Sequence, residues 1–401
     1  MADTLVEGSV IGALDNIGLF GPYWSDISTG VIVFVDGPAG ISFARTVDKG
    51  ATWVTTQIEA GSLEQFACWW DKATPGDSGN LVHVAWLDSV ASDASYVTIN
   101  VATGVLGTIQ TIDSTLTVDS SSSLNRIAIT KAVGGNLIAA LSTQTEIEAY
   151  RSVDAGVNWT DRADFFEVAT QEDWLQLYPA DTGDNQDVFG VFWDRSANEL
   201  SVKMYDDSAN TVTETSIATS MDADTKHQNF GGAVRNSDKH LLLAAHSNDD
   251  TTTDDLLTWD ITVDSIASPT VTVKANIFTN QDESAQVGII INQQNDDVYI
   301  AHLKGVVWEA TVDVVFHKSV NGMTSWGAET PYSEAAADDI RMVHGGVTVG
   351  DDGGRIQFSF YNDDLTDIFV NEVNDIEIVS VVGLSIPVAM HSYRQHRQVG
   401  A

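Results

Sequence analysis

The feature that most restricts how this chain can fold is a spacing. Seven runs rich in Val, Ile, Leu and aromatic residues each end in a polar turn: Val31–Asp36, Leu81–Asp88, Asn136–Ser142, Asp187–Asp194, His240–Asn248, Asp297–Leu303 and Arg355–Asn362. Their ends fall 52 to 59 residues apart. A second marker, the tight turn after each run, falls near Asp48, Thr103, Asp154, Ser208, Asp264, Asn321 and Asn374, at steps of 51 to 57 residues. Self-similarity at one period marks a repeat architecture. Short β-branched and aromatic runs bounded by Asp, Asn and Gly read as strands. A unit of about 54 residues holds four short strands and their turns, which is one blade of a radial sheet array. The expectation is therefore all-β: a single seven-bladed β-propeller of four-stranded antiparallel blades. A linear solenoid would leave open edges and need terminal caps, whereas radial closure protects them. The segment 1–14 precedes the first complete unit, and within it Leu5–Leu14 is expected to close the ring. The propeller itself is placed at 15–382, and residues 383–401 form a tail.

Charge limits the partners. The chain carries 57 acidic and 19 basic residues, a net of −38 over 401 residues. Nucleic acid is excluded as an expected partner, because phosphate backbones are bound by basic patches and the body has none. Such a surface repels itself unless salt screens it; the Debye length falls from about 10 Å at 0.1 M to about 3 Å at 1 M. A high-salt habitat suits it, as does plain solubility. No basic-then-apolar leader opens the sequence. Ile378–Met390, its longest weakly polar stretch, contains Pro387 and is too short for a spanning helix, so no membrane span is expected. The single cysteine, Cys68 beside Trp69 and Trp70, reads as a buried small hydrophobe.

Three of the tight turns share residues as well as position. Thr46-Val47-Asp48-Lys49-Gly50-Ala51-Thr52-Trp53 and Ser152-Val153-Asp154-Ala155-Gly156-Val157-Asn158-Trp159 both fit S/T-x-D-x-G-x-x-W. Ser319-Val320-Asn321-Gly322-Met323-Thr324-Ser325-Trp326 keeps Ser and Trp, has Asn for Asp, and carries its Gly one place early. A short polar side chain can bond amides across a turn, Gly supplies positive φ, and Trp packs back on the sheet. The pattern resembles the Asp-box, or BNR repeat, of sialidase-like propellers, where it occupies the turn between the third and fourth strands of a blade. On that resemblance Thr46, Asp48, Gly50, Trp53, Ser152, Asp154, Gly156, Trp159, Ser319, Asn321 and Trp326 are structural turn residues.

The same resemblance raises an enzymatic reading, since sialidase-like enzymes use an arginine triad, a Tyr/Glu nucleophile pair and an Asp acid/base. Arg126 and Arg341 begin expected innermost strands and Arg195 falls in a loop at the same face, as a substrate clamp or, on the plainer reading, as ordinary solvated or ion-paired side chains. Against the enzymatic reading, no Phe/Tyr-Arg-Ile-Pro segment precedes the first turn motif, and such sialidases usually have six blades. Acids collect after the second strands, at Asp36, Asp88, Asp194, Asp249 and Asp363, with Asp250 and Asp364 beside two of them. One face of the disc would carry them, as a solvated rim or as ligand or cation sites, so Ca²⁺ is a candidate ion and no cofactor is required. The run Asp181–Asp187 looks somewhat like a calcium loop but lacks the Gly and Glu placement of an EF-hand. No HExxH or phosphate-loop motif occurs.

After Glu377 the chain has no acidic residue, and its end is apolar, then basic, through Pro387, Met390, Tyr393, Arg394 and Arg397. On an acidic body this reads as an anchor for another protein, with a frayed terminus as the plain alternative. Together these features point to a non-enzymatic structural or host-attachment protein of a tailed virus particle. It would be made in the host cytoplasm, bound to other virion proteins through its termini, homo-oligomeric within the assembly, and directed at a host-surface glycan. Competing readings are a sialidase-like glycoside hydrolase acting on surface glycans and a microbial adhesion module.

Overall fold

The computed structural model describes residues 3–8, 10, 18–36, 40–61, 65–88, 91–116, 127–142, 147–165, 174–194, 197–219, 221, 230–247, 254–262, 265–266, 268–281, 287–304, 312–333, 340–349 and 354–378. Seven antiparallel sheets stand in a ring, making a seven-bladed β-propeller. The innermost strands are, in order, Leu19–Trp24, Gln65–Trp70, Ile127–Lys131, Trp174–Pro179, Phe230–Val234, Val287–Asn292 and Ile340–Gly345. Helix among the described residues is a 3-10 turn, Asp71–Ala73.

Burial follows from the stacking of blades. Second strands are covered on both faces by their neighbours, so they read as unbroken apolar runs: Gly30–Val35 and Leu241–Ser247 are buried at every position. Fourth strands stand at the outside and are polar; Val54–Glu59 is exposed at its first four residues. The core lies between blades. One cluster joins blades six and seven through Tyr299, Tyr332 and Phe358, and another joins three and four through Ile138, Phe165 and Phe192.

Polar bonds reinforce each seam. Arg45 donates to the carbonyl of Val101, and Lys72 to that of Ser25, at 2.9 and 2.8 Å between blades one and two. Asp207 takes Arg151 at 2.9 Å between three and four. The Asn236 amide donates to Gln293 at 2.7 Å between five and six. Ser359 donates to the Gly21 carbonyl at 2.8 Å between seven and one. At the axis, Val347–Val349 leaves blade seven and pairs in parallel with the innermost strand of blade six, Ile290 opposite Val347.

The ring closes through the N-terminal segment. Thr4–Glu7 is the outermost strand of blade seven, pairing antiparallel with Asp367–Ile378, Leu5 opposite Phe369. One sequence expectation fails here. The hairpin turn placed near Asn374 does not form; Asp367–Ile378 is one strand of 12 residues. Because the other end of the chain supplies the fourth strand, no turn back is needed. The surplus residues are taken up where the register shifts opposite Arg355 and Gln357.

Candidate functional site

Innermost strands enter from the face that carries the turns between second and third strands, here the upper face, and converge on the axis. Their aromatic residues fill it. Phe20 of blade one meets Phe66 of blade two edge-on at 5.0 Å and His344 of blade seven at 4.8 Å. Trp69 of blade two meets Tyr178 of blade four at 6.3 Å. Tyr178 reaches across because Gly232 of blade five has no side chain: a β-carbon there would stand 2.5 Å from the tyrosine oxygen. Between these groups, with Trp174, Gln176, Cys68 and Val347, lies a cavity of about 50 Å³.

The described lining of this cavity contains no Asp, Glu, Lys or Arg, and its titratable groups are held neutral. Burial keeps the His344 imidazole down at about 4, while its Nδ1 accepts the Gly21 amide at 3.2 Å. Burial pushes up both the Cys68 thiol and the Tyr23 phenol. Cys68 is thus a protonated thiol at neutral pH, without the character of a nucleophile. Tyr178 donates to Oε1 of Gln176, which orients the amide. Val347 has φ of 55°, a strained value for a β-branched residue. Strain of this kind gathers at ligand sites. Chemically, the arrangement can stack, enclose an apolar group and donate a few hydrogen bonds.

Of the acids expected on the upper face, Asp88 and Asp194 are occupied by their own turns. Asp88 accepts the Ala91 amide at 2.9 Å and Asp194 the Ala197 amide at 3.0 Å. Asp363 takes the Tyr361 hydroxyl at 3.3 Å. Burial first, then Glu7, raises the Asp36 carboxyl above its usual range. Asp249, Asp250, Arg126 and Arg195 lie outside the described residues, as does the side chain of Arg341. So do Pro387, Met390, Tyr393, Arg394 and Arg397. Asp364 is exposed. Among the described residues no group of three or more His, Cys, Asp or Glu is arranged to hold a metal. In the run Asp181–Asp187, Asp184 accepts the Gln186 amide at 3.2 Å within the turn, and Asp187 accepts the Asp207 amide at 2.9 Å, tying this turn to the one after the third strand of the same blade.

The three matching turns lie on the lower face and share one bonding scheme. Thr46 Oγ1 accepts the Gly50 amide at 3.0 Å, and Ser152 Oγ the Gly156 amide at 2.8 Å. Asp48 and Asp154 accept the amides of Thr52 and Asn158, each at 2.9 Å. Trp53 and Trp159 donate to the carbonyls of Gly50 and Gly156, each at 3.1 Å. In the third turn Ser319 takes the Met323 amide at 3.0 Å and Asn321 the Ser325 amide at 3.1 Å. The early glycine has a simple meaning. Each turn needs two successive residues of positive φ, and Gly322 takes the first of them while Met323 takes the second. Trp326 bonds the Ala275 carbonyl of blade five, at 2.8 Å, rather than its own turn.

Two polar sites were not foreseen. Asp113, Glu148, Asp161 and Asp164 surround Tyr150 in a cavity of about 290 Å³ where blades two and three meet. The Tyr150 hydroxyl lies within hydrogen-bond reach of Asp113 and, at 2.5 Å, of Glu148, and its single proton is shared between the two carboxylates. Burial and then these carboxylates push its pKa up. Below, Asp71 is 2% exposed and accepts His83 Nε2 at 2.9 Å and Lys131 Nζ at 2.7 Å. Tyr96 closes the chain on His83 Nδ1 at 2.6 Å. Asp71, His83 and Tyr96 are buried, and half-buried Lys131 comes from the next blade, so the group fastens the seam.

No protein-family model matches the chain, and no curated protein matches it. Solved structures do. Hydrazine synthase of Kuenenia stuttgartiensis is similar at a TM-score of 0.53 and 11% identity, over 92% of this chain and 99% of that one. An ulvan lyase of polysaccharide lyase family PL25 is similar at 0.52 and 7%, over 93% and 94%. The same lyase bound to -[GlcA(1-4)Rha3S]- is similar at 0.51 and 7%. At such identities the likeness shows the shared propeller fold alone.

Proposed function

We propose that this protein is a non-enzymatic, surface-binding propeller of a virus particle that takes a glycan at the axial cavity. The observation carrying this reading is the cavity's lining of aromatic rings without ionised side chains. Rings present flat apolar faces that suit the C–H faces of sugars, while a few polar groups fix orientation. The ulvan lyase bound to an oligosaccharide shares this fold. The virion setting is supported by the charge of −38 and by the apolar, then basic, sequence of residues 383–401, which suits attachment to other virion proteins. The propeller faces outward, and copies assemble in the particle. Purified full-length protein should bind host cells and lose that binding after the cells are stripped of surface glycans. Undiminished binding to stripped cells, or absence of the protein from purified particles, sinks the respective half of the reading.

Carbohydrate cleavage is favoured by a different observation, the four carboxylates and Tyr150 around the cavity between blades two and three. Glycoside hydrolysis needs paired carboxyl groups. A fluorogenic glycoside screen in low and molar salt tests it; turnover abolished by Glu148→Gln would replace the binding reading.

A further inference from the structure

We infer that the axial cavity selects a 6-deoxy sugar, admitting the C6 methyl group while the sugar ring stays at the mouth. The inference rests on the glycan-binding reading above and adds the class of sugar.

Size sets the argument. An apolar cavity of about 150 Å³ in a protein interior holds benzene. The space on this axis is about 50 Å³, too small for a six-membered ring and sufficient for a methyl group. Its chemistry points the same way. Phe20, Phe66 and Ile129 offer hydrocarbon to an inserted group, and burial keeps His344 uncharged beside them. A hydroxymethyl group set against Phe20, Phe66 and Ile129 would bring an oxygen onto hydrocarbon, away from the Gln176 amide on the blade-four wall, and a hydroxyl without a partner there is costly. Position supplies the third step. Phe20 and Trp174 line the cavity and are only partly buried, so their rings can meet a sugar that does not enter.

The test uses sugar pairs that differ only at C6, L-fucose against L-galactose and L-rhamnose against L-mannose, with the full chain. Saturation-transfer NMR and competition should show the 6-deoxy member bound about tenfold more tightly, with the strongest transfer to its methyl protons. Cys68→Leu, which fills the cavity, should bring the ratio close to one without lowering the unfolding temperature. Should that variant misfold, the methyl transfer on the unaltered protein still decides. Equal affinity within each pair, transfer confined to ring protons, or preference for N-acetylglucosamine over both deoxy sugars overturns the inference and leaves glycan binding standing. Absence of binding to any sugar or host glycan overturns the underlying reading instead.

Discussion

Tyr96 of blade two lies edge-on to Trp159 of blade three, ring centroids 5.4 Å apart, and closes over Gly156 so tightly that a β-carbon there would stand 2.0 Å from the tyrosine ring. The equivalent Gly50 has no such lid; its nearest neighbour would be Trp53 at 3.6 Å. Both glycines have positive φ, 89° and 82°. Gly50→Ala should therefore cost only the conformational penalty, about 1 kcal/mol. Gly156→Ala adds overpacking at a blade seam and should cost roughly 2–5 kcal/mol. Urea denaturation of the two variants checks this; equal losses would mean that the seam yields.

Ser152 is fully buried, and its hydroxyl accepts the Gly156 amide at 2.8 Å. Ser152→Ala leaves that amide without its partner inside the turn. The expected loss is about 1–3 kcal/mol, with hydrogen exchange at Gly156 accelerated. Unchanged exchange would show that another acceptor replaces the hydroxyl.

These turns were legible in the sequence because their shared bonding scheme is local: of the hydroxyl, carboxylate or amide, and indole bonds that define it, all but one stay within eight consecutive residues. The exception is Trp326, whose carbonyl partner Ala275 belongs to the previous blade. Blade number was legible for a related reason, since two markers repeat at one period. The axial cavity was not, because blades one to five and seven each lend it only a few residues, and their convergence exists only once the ring closes. A trace was present in the first strands LFGPYW, QFACWW and WLQLYP, which concentrate aromatic residues. The pocket around Tyr150 left less trace, since its acids lie on the third and fourth strands of two blades and just past one of them, where any carboxylate reads as solvated.

Acid should unfold this propeller in two stages. Burial holds His302 at about 3 and His344 at about 4, both below the ordinary 6.5. The unfolded chain therefore binds protons first, and the stability these residues contribute is intact above pH 6.5 and declines as pH falls toward 4 and 3. Asp71 acts lower. Burial raises it, but His83 and Lys131 outweigh burial and hold it at about 2. Its contribution is present above about pH 4 and lost as pH falls through 2. Denaturant midpoints across pH 8 to 2 should fall in both windows. His302→Gln should reduce the slope in the first window, where His344 still titrates, and leave the second; an unchanged slope would assign the first window to other groups.

The closing strand makes the last prediction. Thr4–Glu7 buries Val6, and Asn371 of blade seven donates to Asp3 at 2.8 Å. Glu7 accepts the Thr55 hydroxyl of blade one, so the segment joins the two blades that meet at the seam of the ring. Deleting residues 1–8 removes one apolar side chain from the core and several hydrogen bonds, roughly 3–5 kcal/mol in all. It also uncovers Ile368–Val370 as an unpaired edge, a template for intermolecular pairing. The truncated chain should unfold at lower denaturant and associate at high concentration. A synthetic peptide of residues 1–10 added in trans should reverse both effects by reoccupying the edge. Full stability without the segment would show that the ring holds through its inter-blade packing alone.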